Sequence, residues 1–266
     1  MATAWDRAAA GYLETWVPRF APYHADLLRE VELAIGDRVL VVSAGPGTEA
    51  IAAARIVDLE GHVRATDASE EMVRLCREEM SLAGFVDRAR VTAEVADAAD
   101  TTGGPWDAIL CAFGFWQLDE AARDAALVAW RAALSDRGKI GLLVWGPPED
   151  NPDERLFQCV RELAPEGGRL RAPRALAERE TMVGMFERAG LAVVRHAVVR
   201  HPIAFPTAHD FVHAMRESCA CRRVLEEIGD LKMKEVERAF FDRSGGRDAP
   251  IDYAPPATIV IGALRR

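Results

Sequence analysis

The sequence predicts an α/β fold in which helices cover both faces of a seven-stranded sheet that is mostly parallel and has one reversed strand. Short runs rich in Val, Ile and Leu alternate with helical patterns through residues 38–145, which is typical of parallel strands buried on both faces. A glycine-rich turn directly follows the first run, at residues 43–48. Two later runs, 191–200 and 257–264, fit a strand pair that returns to the sheet with one strand reversed.

The individual elements follow in chain order from these patterns. Two helices, 5–16 and 19–35, are separated by Pro18. The predicted strands are 38–42, 62–66, 91–95, 106–111, 139–145, 191–200 and 257–264. Apolar spacing predicts three helices within this core, each with one buried face. The first face consists of Ile51, Ala52, Ile56 and Val57. The second, after the N-cap Ser69, consists of Met72, Val73, Cys76 and Met80, and the third of Leu127, Val128, Trp130 and Leu134. Later helices are predicted at 153–164, over about 16 residues ending at Gly190, after a capping box at 207–210, and at 222–243.

A length of 266 residues fits a single α/β domain with insertions, covering 1–266. Residues 1–36 would form cap helices and residues 37–146 a ligand-binding core. Two insertions, 147–173 and 203–250, would form a helical lid that excludes water and shapes an apolar pocket. The linker-like segment 244–256 is expected to lead the chain back to the sheet.

Composition narrows the classes of partner. Lys and Arg total 33 against 42 Asp and Glu, and this acidic balance argues against broad contact with nucleic-acid phosphates. Five cysteines form no CxxC pair and predict no disulfide framework. The chain start does not read as a signal peptide, and no apolar run reaches the roughly 20 residues that span a bilayer. We therefore expect a cytoplasmic protein with a small-molecule partner, no nucleic acid and no membrane, and we leave a homodimer open.

A strand, a glycine-rich turn and a helix in succession aim backbone N–H groups at a ligand, and Gly45 and Gly47 allow a close approach. Asp67 ends the second strand about 20 residues later, where a carboxylate can accept hydrogen bonds from both hydroxyl groups of a ribose. Asp97 follows the third strand and can accept from an adenine amine. These residues have structural alternatives, namely a tight turn without a ligand, a turn or capping aspartate, and a solvated loop acid. Their common position beyond the strand ends favours a nucleoside site.

Two classes of nucleoside cofactor compete for this site, nicotinamide dinucleotides and S-adenosylmethionine, and both use a ribose carboxylate. A short-chain reductase needs a Tyr-x-x-x-Lys pair to protonate its substrate. None of the three tyrosines, Tyr12, Tyr23 and Tyr253, has a lysine four residues later. An NAD(P)-dependent oxidoreductase therefore remains only as an alternative.

Five stretches carry a resemblance to a known family: 39–50 (VLVVSAGPGTEA), 63–78 (VRATDASEEMVRLCRE), 95–100 (VADAAD), 106–120 (WDAILCAFGFWQLDE) and 138–152 (GKIGLLVWGPPEDNP). In their order and spacing the sequence resembles the class I S-adenosylmethionine-dependent methyltransferases. It is most similar to the small-molecule branch related to quinone C-methyltransferases and to enzymes of secondary metabolism. The resemblance implies a Rossmann-like sheet, S-adenosyl-L-methionine as cofactor with S-adenosyl-L-homocysteine as product, and methyl transfer to a small aromatic or apolar metabolite.

The resemblance also implies a role for individual residues. The glycine loop would wrap the amino-acid part of the cofactor, Asp67 would hold the ribose, and the fourth strand's tip would lie beside the methionine moiety. The implied cofactor-binding residues are Ser43, Ala44, Gly45, Pro46, Gly47, Asp67, Ala68, Met72, Asp97, Ala98, Cys111, Ala112 and Phe113. At the positions of Val41 and Ser43 the family usually has an acidic residue and a glycine. Because this sequence departs from the family at both positions, chemistry other than methyl transfer, such as that of a cyclase, remains a further alternative.

Methyl transfer requires alignment of the nucleophile with the methyl–sulfur bond, and a base only if the acceptor retains its proton. His24, in the helix expected to cap the cofactor, is the candidate catalytic base. Aromatic residues predict an acceptor pocket, with core packing as the alternative: Trp5, Tyr12, Trp16, Phe113, Phe115, Trp116 and Trp145. Among these we assign Tyr12, Trp116 and Trp145 to substrate binding.

No metal site is predicted, because His209 and His213 lack an HExxH context and Cys219 and Cys221 are interpreted as buried small residues.

Overall fold

A seven-stranded sheet runs through the computed structural model, which describes residues 2–85, 90–147, 149–165 and 174–265. The strands are β1 (Arg38–Val42), β2 (His62–Asp67), β3 (Val91–Val95), β4 (Trp106–Ala112), β5 (Leu134–Trp145), β6 (Leu191–Arg200), β7 (Ile203–Phe205), β8 (Ile251–Tyr253) and β9 (Pro256–Leu264). The α-helices are α1 (Ala2–Thr15), α2 (Val17–Val31), α3 (Thr48–Val57), α4 (Glu70–Leu82), α5 (Glu120–Ala133), α6 (Pro152–Leu163), α7 (Arg179–Arg188), α8 (Ala208–Arg216) and α9 (Cys219–Arg243).

The strand order of the large sheet is β3-β2-β1-β4-β5-β9-β6. The five strands from β3 to β5 pair in parallel, whereas β9 lies antiparallel to both β5 and β6. This confirms the predicted seven-stranded sheet with one reversed strand. The carboxyl ends of the parallel strands therefore meet at one edge, where the glycine loop after β1 and the end of β2 are neighbours.

Both faces of the sheet are covered, which explains the uninterrupted apolar runs of the strands. Val39 and Val41 face one core, together with residues of α2 and α3, while Leu40 and Val42 face a second core. The second core includes the fully buried Trp130 of α5. A strand buried on both faces has no polar side to alternate with its apolar side.

Several boundaries and faces differ from the sequence-based expectation. Pro18 lies in the first turn of α2 rather than before it, because a first-turn residue needs no N–H for the helix. The buried face of α3 carries Ala50 and Ala53, whose small side chains allow close packing, whereas Ile56 is partly exposed. Val128 was also wrongly placed on a buried face, since it is 55% exposed. β5 begins at Leu134, which the sequence had placed in the preceding helix.

The segment predicted as a linker, 244–256, contains a strand. β8 pairs antiparallel with β7 in a separate two-stranded sheet, with Ile203 opposite Tyr253. The helix that ends before Gly190 is only Arg179–Arg188 long, and part of the predicted lid, 166–173, lies outside the described residues. Among the helices of the described ranges, none is long and apolar enough to cross a membrane.

Candidate active site

The turn after β1 is built from left-handed backbone conformations. Gly45 and Gly47 have φ angles of 52° and 92°, and Ser43 also has a positive φ, 53°. A Cβ on Gly47 would lie 2.6 Å from Sγ of Cys76, so glycine is needed there for close packing as well as for its backbone. A Cβ on Gly45 would meet no atom closer than Sδ of Met72, at 4.0 Å. The loop thus folds back toward α4 and leaves space in front of Gly45.

The carboxylate of Asp67 joins this loop to the end of β2. Its Oδ2 accepts a hydrogen bond from the N–H of Gly45 at 2.9 Å, and its Oδ1 accepts from the N–H of Ser69 at 2.9 Å. Burial raises the pKa of Asp67, and these backbone donors oppose that rise. A carboxylate has about four lone-pair sites, so with the N–H groups of Ser69, Gly45 and Ala68 as donors Asp67 can still accept a hydrogen bond from a ligand.

The start of α4 is held against α1. Ser69 caps α4 by accepting from the N–H of Met72 at 3.2 Å, and its Oγ donates to Oδ1 of Asp6 at 2.5 Å. Met72 is 2% exposed and packs with Ala9 of α1, whereas Ala68 is exposed. Ala68 and Met72, both among the implied cofactor-binding residues, therefore lie next to the glycine loop, Met72 buried under α1 and Ala68 exposed.

The acids after β3 differ in their surroundings. Asp97 is exposed and accepts from the N–H of Ala99 at 2.9 Å, and the carbonyl of Ala98 accepts from Nε1 of Trp130. The N–H of Thr102 and the guanidinium of Arg64 lower the pKa of Asp100 to about 2. Asp97 is therefore the accessible carboxylate of this loop, and its contact with adenine stays a prediction.

The tip of β4 contacts the loop after β1. A Cβ on Gly114 would lie only 2.3 Å from the Cβ of Ser43, so the two turns can approach this closely only because residue 114 is glycine. Cys111 and Ala112 are buried just before it, and burial raises the pKa of the Cys111 thiol to about 12. Phe113 is 8% exposed and has a positive φ of 55°, a strained conformation for this residue type.

Beside the β4 tip lies a cavity of about 250 Å³. Within the described part of the chain, nine aromatic side chains line it: Trp5, Tyr12, Trp16, Phe20, Phe113, Trp116, Trp145, Phe157 and Tyr253. Phe113 stacks on Trp145 with ring centroids 4.3 Å apart. Tyr12, Trp116 and Trp145, the three residues predicted to bind substrate, are thus brought together. Phe115 was wrongly grouped with them, because it is fully buried in the second core beside Trp130.

The cavity also has a polar side that the sequence did not suggest. Three carboxyl groups of the described residues line it, and two belong to ion pairs, Glu149 with Arg200 and Glu154 with Arg161. The third is Asp153, whose Oδ1 accepts from the hydroxyl of Tyr253 at 3.3 Å. Burial raises the pKa of Asp153 to about 7.

His24 occupies a different place from the one expected of a base. Its Nδ1 lies 2.9 Å from Oε1 of Glu49, a buried carboxylate in the first turn of α3, and its ring edge faces Phe113. Among the described residues that line the aromatic cavity there is no histidine. The placement thus pairs His24 with Glu49 and lends no support to a catalytic role. Sequence reasoning missed Glu49, although its spacing from Ala50 and Ala53 places it on the buried face of α3.

Tyr12 connects the two halves of the site. It lines the aromatic cavity, and burial together with the carboxylates of Glu49 and Asp67 raises the pKa of its hydroxyl. Tyr12 is thus a wall of the cavity and lies close enough to Asp67 for the carboxylate's charge to act on its hydroxyl.

Comparison with known proteins decides which nucleoside this is. Residues 39–138 match the model of the methyltransferase domain family. The ubiquinone/menaquinone biosynthesis C-methyltransferase UbiE of Ralstonia pickettii is 30% identical over 173 residues, which cover 60% of this chain and 70% of that protein. The UbiE protein of Teredinibacter turnerae is 28% identical over 174 residues, covering 60% and 69%.

The chain belongs to the class I S-adenosylmethionine-dependent methyltransferases. YcgJ of Bacillus subtilis has the same fold, with a TM-score of 0.59, 19% identity and coverage of 91% of this chain and 98% of that one. A methyltransferase of Geobacter sulfurreducens in complex with S-adenosylhomocysteine gives a TM-score of 0.54 at 17% identity, covering 91% and 90%. The nicotinamide alternative is therefore wrong. The left-handed loop and the half-buried carboxylate of Asp67 fit S-adenosylmethionine, since Asp67 retains acceptor capacity for ribose hydroxyls.

Proposed function

We propose that this methyltransferase acts on a small aromatic or apolar metabolite bound in the aromatic cavity. The cavity itself is the observation that carries this proposal: nine aromatic rings surround a space of about 250 Å³ at the carboxyl ends of β4 and β5. Such walls suit a flat, apolar molecule, because aromatic side chains bury large areas and stack on rings. The related UbiE proteins are named for C-methylation in ubiquinone and menaquinone biosynthesis, which also favours a ring-bearing acceptor.

S-adenosylmethionine, when bound, supplies a methyl group on a positively charged sulfur. We assign the ribose hydroxyls to Asp67, the adenine to Ala68, Met72, Asp97 and Ala98, and the amino-acid end to residues 43–47. Cys111, Ala112 and Phe113 would form the boundary between the cofactor and the acceptor. The support is their arrangement around one edge of the sheet, with Gly45 tied to Asp67 and Gly114 in contact with Ser43.

We assign acceptor binding to Tyr12, Trp116 and Trp145, and water exclusion to the elements around them. α1 and α2, within the cap 1–36, supply Trp5, Trp16 and other walls of the cavity. Residues of α6, α8 and α9, within the insertions 147–173 and 203–250, supply further walls, in keeping with a lid. The core of this single domain would be 37–146.

The test uses S-adenosylmethionine with a labelled methyl group and a panel of small acceptors: phenols, hydroquinones, indoles, sugars and aliphatic amines, with a peptide and an oligonucleotide as further members. We expect label in ring-bearing small molecules, and a loss of transfer in Trp145→Ala and Trp116→Ala with little change in S-adenosylhomocysteine binding. Trp106→Phe, in the second core, is the matched tryptophan control. Label only in the peptide or the oligonucleotide would refute the proposal. Conversion of an acceptor without label would favour non-methyl-transfer chemistry.

A further inference from the structure

We propose that Asp153 is the proton acceptor of the aromatic cavity, with Tyr253 as its positioning residue, and that the acceptor carries an acidic hydroxyl on an aromatic or enolic carbon. This inference rests on the proposed function, because it names the chemistry of the molecule bound in the same cavity. It goes further in giving the cavity a specific polar site.

The start of α6 fixes the position of the carboxyl group. Asn151 caps this helix by accepting from the N–H of Glu154 at 2.9 Å, and Pro152 occupies the first turn. Asp153 is therefore held on a rigid helix start rather than on a loose loop. Tyr253 reaches it from β8, about a hundred residues later in the chain, with its hydroxyl 3.3 Å from Oδ1. Two separate elements thus converge on one point of the cavity wall.

The charges around the cavity single out Asp153. Glu149 and Glu154 each lie in an ion pair with an arginine, and the hydrogen bond from Arg200 lowers the pKa of Glu149. Within the described residues, Asp153 has no arginine or lysine at ion-pair distance, and its hydrogen-bond partner is a neutral hydroxyl. A carboxyl group with a neutral partner is free to gain and lose a proton, whereas a carboxylate paired with arginine is not.

Besides the ion-paired Glu149 and Glu154, three described titratable groups near Asp153 stay uncharged at neutral pH. They come from three packed elements: Tyr253 on β8, Cys221 on α9 and Tyr23 on α2. Burial raises the pKa of the Cys221 thiol to about 12, and burial also raises the pKa of Tyr253 and of Tyr23. Because the pKa of Asp153 is raised only to about 7, it is the group of this set that changes form near neutrality.

These surroundings favour a hydroxyl acceptor over an ammonium ion. Aromatic rings alone can bind an ammonium through cation–π contacts, so such a ligand would give Asp153 no role. Burial among the rings favours the neutral form of Asp153. A carboxylate with a pKa near 7 is instead well matched to take a proton from a phenol or an enol, since a general base works best when its pKa lies near the operating pH.

The step moves one proton. The O–H bond of the acceptor breaks, its proton forms a new O–H bond to a carboxylate oxygen of Asp153, and the bonding electron pair stays on the acceptor oxygen. The negative charge passes from Asp153 to the acceptor, whose oxygen, or a ring carbon conjugated with it, becomes the nucleophile. Asp153 returns the proton to water after the product leaves. The hydroxyl of Tyr253 holds the carboxyl group in position.

A binding experiment tests this without turnover. We use para-cresol and its methyl ether 4-methylanisole, which differ in one hydroxyl that keeps its proton throughout the pH range around 7, and titrate each into the protein across that range. In the wild type we expect the phenol to bind more tightly than the ether above about pH 7, by roughly 10-fold or more, because the hydroxyl donates to a charged acceptor. Below that pH the preference should shrink as Asp153 becomes protonated.

Three variants make the result specific. Asp153→Asn should make the phenol preference small and independent of pH, and Tyr253→Phe should weaken it while keeping its pH dependence. Glu162→Gln, which removes an exposed carboxyl of α6 that pairs with Arg243 outside the cavity lining, should leave the preference unchanged. Unfolding curves of all variants establish that they are folded. Equal binding of phenol and ether to the wild type, or no binding of either, would overturn the proposal.

Two further outcomes separate this inference from the proposed function. If phenyltrimethylammonium binding, rather than phenol binding, depends on Asp153, the acceptor is a cation and the hydroxyl assignment is wrong. If Asp153→Asn still transfers methyl to ring-bearing acceptors with a wild-type pH–rate profile, the proton-accepting role fails while the aromatic acceptor stands. In the wild type the rate should fall as the pH decreases through about 7, where Asp153 becomes protonated. Loss of this fall in Asp153→Asn would support the proton-accepting role of Asp153.

Discussion

Oδ2 of Asp67 accepts a hydrogen bond from the backbone N–H of Gly45 at 2.9 Å, which ties the end of β2 to the glycine loop after β1. The family usually has an acid at the position of Val41 to order this loop, and here Val41 is a fully buried apolar residue. Asp67 therefore serves the loop as well as the ribose site assigned to it. Because one carboxylate both orders the glycine loop and is assigned to the ribose, we expect the cofactor site to depend strongly on Asp67.

The contact between Ser43 and Gly114 yields a double-mutant prediction. Gly114→Ala places a Cβ 2.3 Å from the Cβ of Ser43, and we expect it to lower the free energy of unfolding by about 1–3 kcal/mol. Ser43→Gly removes the obstructing side chain and relieves a positive φ, so the double variant should recover most of that loss. Urea unfolding of the four proteins measures the coupling, and strictly additive effects would show that the two turns do not touch.

Gly47 should be the least replaceable glycine of the loop. Gly47→Ala combines a φ of 92° with a Cβ only 2.6 Å from Sγ of Cys76. Gly84→Ala is the matched control, because its φ is 86° and no atom lies within 4 Å of the added Cβ. We expect both to lose about 1–2 kcal/mol from backbone strain, and Gly47→Ala to lose more from the clash. Equal losses in thermal unfolding would contradict the packing described for the loop.

The raised pKa of Asp153 predicts how stability changes with pH. Its pKa rises from 3.8 to about 7 on folding, so the folded state binds the proton more tightly than the unfolded state. This contribution is complete below about pH 4 and is lost as the pH rises through about 7. Relative to Asp153→Asn, the wild type should therefore lose at most about 4 kcal/mol over that interval. Chemical denaturation of both proteins at several pH values measures it, and parallel curves would exclude the shift.

His24 should act through Glu49. His24→Ala leaves the buried carboxylate of Glu49 without the imidazole 2.9 Å away, and we expect a loss of about 1–3 kcal/mol in stability, as for a buried polar group left without its neighbour. His213→Ala, at an exposed site, should change stability little. Methyl transfer by His24→Ala, measured well below its melting temperature, should stay within a few-fold of the wild type. A stable variant with no turnover would instead restore His24 as the catalytic base.

Sequence patterns were sufficient for the parallel core but not for the cavity wall. The strands β1 and β3 and the cap Ser69 depend on residues within one short segment, so their pattern is complete in the sequence. Asp153 and Tyr253 are about a hundred residues apart, and only the packing of α6 beside β8 brings them together. β8 has three residues and pairs across a long connection, which leaves too short a pattern to detect.

Phe115 shows the same limit on a smaller scale. It lies two residues after Phe113, which lines the cavity, yet it starts a short helical turn and faces the second core beside Trp130. No local pattern in the sequence indicates that the chain turns between the two residues. Because Phe113 and Phe115 are close in the sequence, we expected them in the same pocket. The turn after β4 instead directs their side chains to different parts of the protein.

Calorimetric titration of S-adenosylhomocysteine into the wild type and Asp67→Asn tests the cofactor site most directly. Asp136→Asn, an exposed aspartate in the first half of β5, serves as the matched control. We predict tight binding to the wild type and the control, and binding weakened by about 10- to 100-fold or more in Asp67→Asn, as expected for lost hydrogen bonds to a charged acceptor. Equal affinity in all three proteins would contradict the assignment of Asp67 to the ribose.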